Sequence, residues 1–221
     1  MRKIVAGAFV SLDGVMQAPG GPEEDPTCGF EHGGWTVPYW DEPMGQFMDA
    51  CFSQPFDLLL GRKTYEIFAA HWPFVGEDDP IGQVFNRVTK HVATSSAAPL
   101  GWNHSVAVTG DVATEVARLK QGSGPMLLIQ GSSVLVQTLL DHDLIDEFRL
   151  LTFPLLLGRG KKLFGQGTKA GTLKLAESSV STTGVTMSVY ARAGTVKTGT
   201  FALPQSPEAE LARREKMKAE D

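Results

Sequence analysis

Read only for apolar and polar positions, the chain opens with Ile4 to Val10, a run of small and β-branched apolar residues with almost no polar alternation. Such a run predicts a strand covered on both faces. Met44, Phe47, Met48, Cys51 and Phe52 then recur at i, i+3, i+4, i+7 and i+8, the face of an amphipathic helix. Asp41 or Glu42 caps that helix, and Pro43 is tolerated in its first turn. Phe56 to Leu60 reads as a short buried strand, and Tyr65, Phe68, Ala69 and Trp72 as a second helical stripe closed by Pro73. The alternation continues with strands at 90–94 and 104–108, a helix at 111–122, a strand at 125–130 and a helix at 132–144. Only strands follow, at 145–157, 172–181 and 184–193, the last two separated like a hairpin. Strand–helix alternation with a strand-only end predicts a mostly parallel sheet finished by antiparallel strands.

Two segments break the pattern. Residues 17–43 are rich in glycine and proline and too long for an ordinary connection. Their aromatics (Phe30, Trp35, Tyr39, Trp40) favour a packed loop over a pocket. From Ser206 the chain is charged with a thin apolar stripe, either a solvated helix or a frayed terminus. We therefore expect one folded unit over residues 1–194 and an extension over 195–221.

Composition narrows the function classes. The chain has 221 residues, 42% of them apolar, and a formal charge of −5. That balance suits a globular core and argues against a nucleic-acid-binding surface. No run approaches the ~20 apolar residues of a membrane span, and Ser11 and Asp13 interrupt the N-terminal run as in a strand, not a signal peptide. Cys28 and Cys51 form no C-x-x-C pair, and two free thiols in a reducing cytosol is the reading preferred over a disulfide. The five histidines show no metal-binding spacing.

The chemistry is expected at two corners. "LLLGRKTYE" passes from a buried strand through Gly61 into a helix whose first turn holds Arg62, Lys63 and Thr64. A helix N-terminus offers unpaired N–H groups and the positive end of its dipole, so it suits a phosphate. "LLIQGSSVLVQTLL" repeats the arrangement at Gly131, Ser132 and Ser133. Two such turns on neighbouring parallel strands form the ligand crevice of open α/β sheets. A third polar turn, "VATSS", adds Thr94 and Ser95. Neither corner matches the G-x-G-x-x-G or Walker pattern.

These segments, with "SLDG" near the start and "LIDEFRLLTFPLLLGRGKKLF" near the end, follow the order found in the dihydrofolate-reductase-like family. The chain most resembles its branch containing the reductase domain of riboflavin biosynthesis, over roughly residues 2–193. The resemblance implies a three-layer α/β sandwich, NADPH as cofactor and a homodimer with edge strands or the tail as contacts. It also implies that Gly61, Arg62, Lys63 and Thr64 form a phosphate-binding loop in which Arg62 faces the adenosine 2′-phosphate and the Thr64 amide faces the pyrophosphate. Thr94 and Ser95 fall near the adenine ribose, Gly131, Ser132, Ser133 and Val134 on the other side of the pyrophosphate, and Ala8 beside the nicotinamide. Three positions depart from the family: Ser132 replaces the second of two glycines, Gln130 replaces an acid facing substrate, and Gly45 stands where dihydrofolate reductases carry a helix-borne carboxylate.

The expectation is a cytoplasmic NADPH-dependent reductase acting on a small heteroaromatic or imine-like substrate, pyrimidine- or pterin-like, with no catalytic residue assigned and no metal. Asp13, Trp35, Trp40 and Gln130 are the candidate substrate residues. Asp13 and Asp41 either pass a proton through water or serve as turn and cap carboxylates. The aromatics either stack on a flat ring or anchor the long loop. The competing class is a catalytically silent NADP-binding module of the same fold.

Overall fold

The computed structural model describes residues 1–220. In chain order the elements are β1 (Ile4–Ser11), α1 (Glu42–Phe52), β2 (Phe56–Gly61), α2 (Arg62–Ala69), α3 (Pro80–Arg87), β3 (Lys90–Ala93), β4 (Ser105–Val108), α4 (Val112–Gln121), β5 (Met126–Gln130), α5 (Ser133–Asp141), β6 (Glu147–Phe153), β7 (Leu173–Val180), β8 (Thr186–Arg192) and α6 (Glu208–Lys218). One eight-stranded sheet runs β4-β3-β2-β5-β1-β6-β8-β7. The first six strands are parallel, and β8 and β7 complete it antiparallel.

Side-chain alternation along the strands divides the core into two faces. Ile4, Ala6, Ala8 and Val10 of β1 join Leu127 and Ile129 of β5 beneath α4 and α5. On the other face Leu58, Leu60 and Leu128 pack with Tyr65 of α2 and Phe85 of α3. Farther along, Met44 and Met48 of α1 meet Leu151, Phe153 and Met187. The three layers arise because each strand residue alternately feeds one face or the other. Strand β7 is exposed at every residue.

Two details differ from the reading of the pattern. Helix α3 was not expected; its apolar positions Ile81, Val84 and Phe85 are few because it has only 8 residues. Its start signal is nevertheless written in the sequence, with Pro80 in the first turn and the Asp79 carboxylate accepting from Gly82 N–H at 2.7 Å. The expected strand at 145–157 narrows to β6 because Pro154 has no N–H to continue the ladder. Beyond it, the Leu157 amide binds the Asp13 carboxylate at 3.1 Å instead of a strand.

Candidate functional site

The sheet order reverses beside β2. The chain steps from β2 outward to β3 and β4, then returns through α4 to β5, which lies against β2 on its other side. Helix α2 leaves β2 toward one face and α5 leaves β5 toward the other. Their N-termini therefore diverge from adjacent strand ends and open a crevice.

The two corners touch. Gly61 N–H donates to Ser132 Oγ at 2.9 Å, and a Cβ added to Gly131 would stand 3.4 Å from Thr64 Cγ2. Gly131 has φ +70°, a conformation that suits glycine. Ser132 has φ +60°, the left-handed region, where a non-glycine residue is strained. Its hydroxyl makes no capping bond to α5 and goes instead to the neighbouring corner.

Capping separates these two helices from α1, α3 and α4. Asp41, Asp79 and Asp111 cap α1, α3 and α4 through their carboxylates. Helices α2 and α5 have no side-chain cap, so their first-turn N–H groups face the crevice without a protein acceptor from the cap residue.

A cleft of about 1120 Å³ lies over the corners. It exceeds the ~300–1,000 Å³ of most small-molecule pockets, room for a ligand larger than one ring. Of the residues singled out from sequence, Ala8, Gly61, Arg62, Lys63, Thr64, Thr94, Ser95, Gln130, Gly131, Ser132, Ser133 and Val134 line it. Arg62 bridges from α2 to the 94–98 turn, donating to Glu66 Oε1 at 2.6 Å and Ala98 O at 3.0 Å. Thr94 is buried, and its Oγ1 accepts from Ser96 N–H at 3.0 Å. Gln130 stands opposite Gly7 in the ladder, its Nε2 only 3.0 Å from where a Cβ of Gly7 would be. The missing side chain at Gly7 makes the space that Gln130 fills.

The other three substrate candidates lie elsewhere. Asp13 accepts from Ser11 Oγ at 2.6 Å and from the Leu157 and Gly158 amides at 3.1 and 2.8 Å. The Ser11 hydroxyl and, against a smaller effect of burial, those amides hold its carboxyl at about 2, so it is an ionised turn anchor. Trp35 is buried edge-on against Phe153, 5.1 Å between centroids, and its Nε1 donates to Gln17 O at 2.8 Å. Trp40 lies edge-on to Phe9 at 6.2 Å, one residue behind the cleft wall.

The 17–43 segment packs over the pocket as expected, but through residues at its start that sequence reasoning did not single out, not through its aromatics. Residues Met16–Gly21 and Glu23–Asp25 line the cleft, held by a network centred on Gln17. Gln17 Nε2 donates to Asp25 O and Thr27 O at 2.8 and 2.9 Å, while its Oε1 accepts from Lys161 N–H at 3.0 Å. The buried Asp25 carboxylate pairs with Lys161 and, at 3.3 Å, with Lys63. Burial pushes the Asp25 carboxyl up, but hydrogen bonds from Lys161 and Thr27 and the two lysine charges outweigh it and hold it at about 2. Lys63, read as a phosphate ligand, thus points at the 17–43 segment. The one sequence signal was the "GRGKKLF" run that supplies Lys161. Among the described residues no group of three or more His, Cys, Asp or Glu is placed to hold a metal, and no helix is long and apolar enough to cross a membrane.

The RibD C-terminal domain model matches residues 2–187. The chain belongs to the RibD C-terminal domain family. Among curated proteins it is similar to the uncharacterised YyaP and YwjB of Bacillus subtilis (strain 168). YyaP is 27% identical over 86% of this chain and 94% of its own length. YwjB is 30% identical over 79% of this chain and 89% of its own. Solved structures share the fold. A protein ascribed to riboflavin biosynthesis from Shewanella sp. PV-4 aligns with TM-score 0.57 and 22% identity, covering 86% of this chain and 99% of that one. Dihydrofolate reductase from Enterococcus faecalis, complexed with NADP(H) and RAB-propyl, aligns with TM-score 0.53 and 16% identity over 86% and 96%. The family member described here therefore has a dihydrofolate-reductase-like fold of the reductase type.

Proposed function

We propose that this RibD C-terminal domain protein is an NADPH-dependent reductase that transfers a hydride to a small heteroaromatic or imine-like substrate, pyrimidine- or pterin-like. The observation that carries the reading is the pair of uncapped helix N-termini joined by the Gly61–Ser132 hydrogen bond beneath one cleft. Two sets of unpaired N–H groups on adjacent corners suit the two phosphates of a dinucleotide. Thr64 offers its amide on one side and Ser133 and Val134 offer theirs on the other, while Gly61, Gly131 and Ser132 form the tight junction that brings the two corners together. Arg62, Thr94 and Ser95 hold the adenosine end, with Arg62 on the 2′-phosphate. Ala8 and Gln130 bound the nicotinamide end, where a small side chain leaves the ring room.

When bound, NADPH supplies the hydride; the protein supplies binding, orientation and shelter from water. The reductase domain spans residues 1–194, with 195–221 an extension whose helix α6 buries no residue. The protein forms a homodimer through the open edge of β7. Antiparallel pairing about a two-fold axis between Leu175 and Ala176 sets Lys174 opposite the partner's Glu177. Lys174 and Glu177 point to one side of the sheet, since they pair with Ala191 and Val189 across the Leu175/Glu177 bulge.

The test is cofactor discrimination. Arg62→Ala is expected to weaken NADPH binding about tenfold or more while leaving NADH little changed, because only the former carries the 2′-phosphate. Equal losses for both contradict the role of Arg62. Gln130 in place of an acid and Gly45 on α1 favour a second reading, a catalytically silent NADP-binding module. Tight NADPH binding without absorbance loss against pyrimidine and pterin panels selects it.

A further inference from the structure

Helix α2 runs along the cleft, so its two ends serve different halves. With 8 residues it is about 12 Å long. Its first turn carries Arg62 at the anion-suited corner. Its last turn and exit bring Ile67, Phe68, His71 and Trp72 to the same cleft, and the Pro19–Asp25 segment walls that space.

The charges along this wall are either matched or exposed, except at one half-buried residue. Asp25 pairs with Lys63 and Lys161, Arg62 pairs with Glu66, and Glu23 is exposed. Glu24 is half-buried, yet among the described residues no Lys or Arg makes a salt bridge with it. Its protein donors are the Gly20 amide, 2.6 Å from Oε2, and the Gly21 amide. Burial pushes its carboxyl above the usual glutamate value, while Asp25 adds to the rise and His71 opposes it. A carboxyl stripped of part of its hydration and given no cation is stabilised by any ligand that brings donors to it.

Asp13 and Asp41, the carboxyls singled out from the sequence, lie outside the cleft and are occupied. Asp13 accepts three hydrogen bonds in its own turn, and Asp41 caps α1 while binding Thr182. Position 45 on α1 is glycine and Gln130 is neutral. Phe68 and Trp72 line the same cleft as Glu24 and give it an aromatic wall, their rings edge-on to each other with centroids 6.1 Å apart.

We propose that Glu24 is the substrate-recognising carboxyl of this cleft, taking the N–H-rich, electropositive edge of a flat heteroaromatic ring that packs against Phe68 and Trp72. This assignment rests on the reductase reading, and it names what that reading leaves open: the residue that selects the ring, and the charge of the edge it selects.

Two probes of matched shape test it: 2-aminobenzimidazole, whose edge is basic and rich in N–H, and 2-benzimidazolinone, its neutral cyclic-urea counterpart. Each is titrated calorimetrically near neutral pH into the full chain, with and without saturating NADP⁺. Wild type is expected to favour the amino probe about tenfold or more, the worth of a hydrogen bond to a charged group. Glu24→Gln is expected to bring the two probes to near-equal affinity, and Glu24→Asp to retain part of the preference, with NADP⁺ affinity unchanged in both. An unchanged preference in Glu24→Gln overturns the assignment, as does wild type binding neither probe. Failure of NADP⁺ to bind counts against the reductase reading instead, because the titrations without cofactor still report on Glu24. Circular dichroism melting of each variant verifies that a lost preference is not lost folding.

Discussion

Replacing Ser132 separates two effects that oppose each other at one atom group. Its hydroxyl accepts from Gly61 N–H at 2.9 Å, and its backbone sits at φ +60°. Ser132→Ala removes the acceptor and keeps the strained backbone. A lost hydrogen bond costs about 0.5–1.5 kcal/mol, rising to about 1–3 kcal/mol if the abandoned N–H stays dry. The Gly61 amide lies at a cleft that water can reach, so the expected destabilisation is about 1–2 kcal/mol. Ser132→Gly loses the same bond but relieves a left-handed residue, worth roughly 1–2 kcal/mol. Glycine also adds freedom to the unfolded chain, which costs about 0.5–1 kcal/mol. The sum leaves the glycine variant within about 1 kcal/mol of wild type and more stable than the alanine variant. Urea unfolding at constant m-value reads both differences. NADPH titration of the same proteins reports whether the corners remain aligned, and Ser132→Ala is expected to bind more weakly than wild type. The reasoning is refuted if alanine is as stable as serine, or if glycine is less stable than alanine.

The remaining predictions concern the loop and the sheet edge. Asp25→Asn is expected to free Lys63 and Lys161 and raise proteolysis within residues 17–43; protection equal to wild type would show that the ion pairs do not hold the segment. The same contact has a defined acid limit. The folded Asp25 titrates at about 2 against an ordinary value of 3.8, so its contribution is complete above that ordinary value and disappears as pH falls through about 2. Acid unfolding of Asp25→Asn, compared with wild type, should show the smaller pH dependence in that window. Lys174→Glu places like charges across the proposed β7 pairing and is expected to yield monomer by light scattering, with Glu177→Lys added to restore the dimer. A wild-type monomer, or an undisturbed Lys174→Glu dimer, removes that interface.

Much of the fold was legible because single-chain patterns carry it. The uninterrupted apolar run of β1 announced a strand buried on both faces, and the strand-only end announced the antiparallel finish. Both corners could be read because a buried strand, a glycine and a helix are contiguous in sequence. The Glu23–Asp25 wall could not be read in this way, because its place depends on Gln17 and on Lys161, which comes from a turn 136 residues away from Asp25. Trp35 shows the converse: an aromatic in a glycine-rich loop looks like a ring-stacking residue until Phe153 is found against it.

The sequence by itself determined which segments become strands and helices, and that two glycine corners end buried strands, because burial periodicity and backbone freedom are local properties. Tertiary structure decided that those corners touch. Gly61 and Ser132 are 71 positions apart, and only the return of the chain through α4 to place β5 against β2 brings the amide to the hydroxyl. It also decided how the acids are partnered, since Asp13 and Asp25 acquire partners from distant turns while, among the described residues, Glu24 acquires no lysine or arginine. Pairing of that kind is long-range, and no window of sequence contains both members.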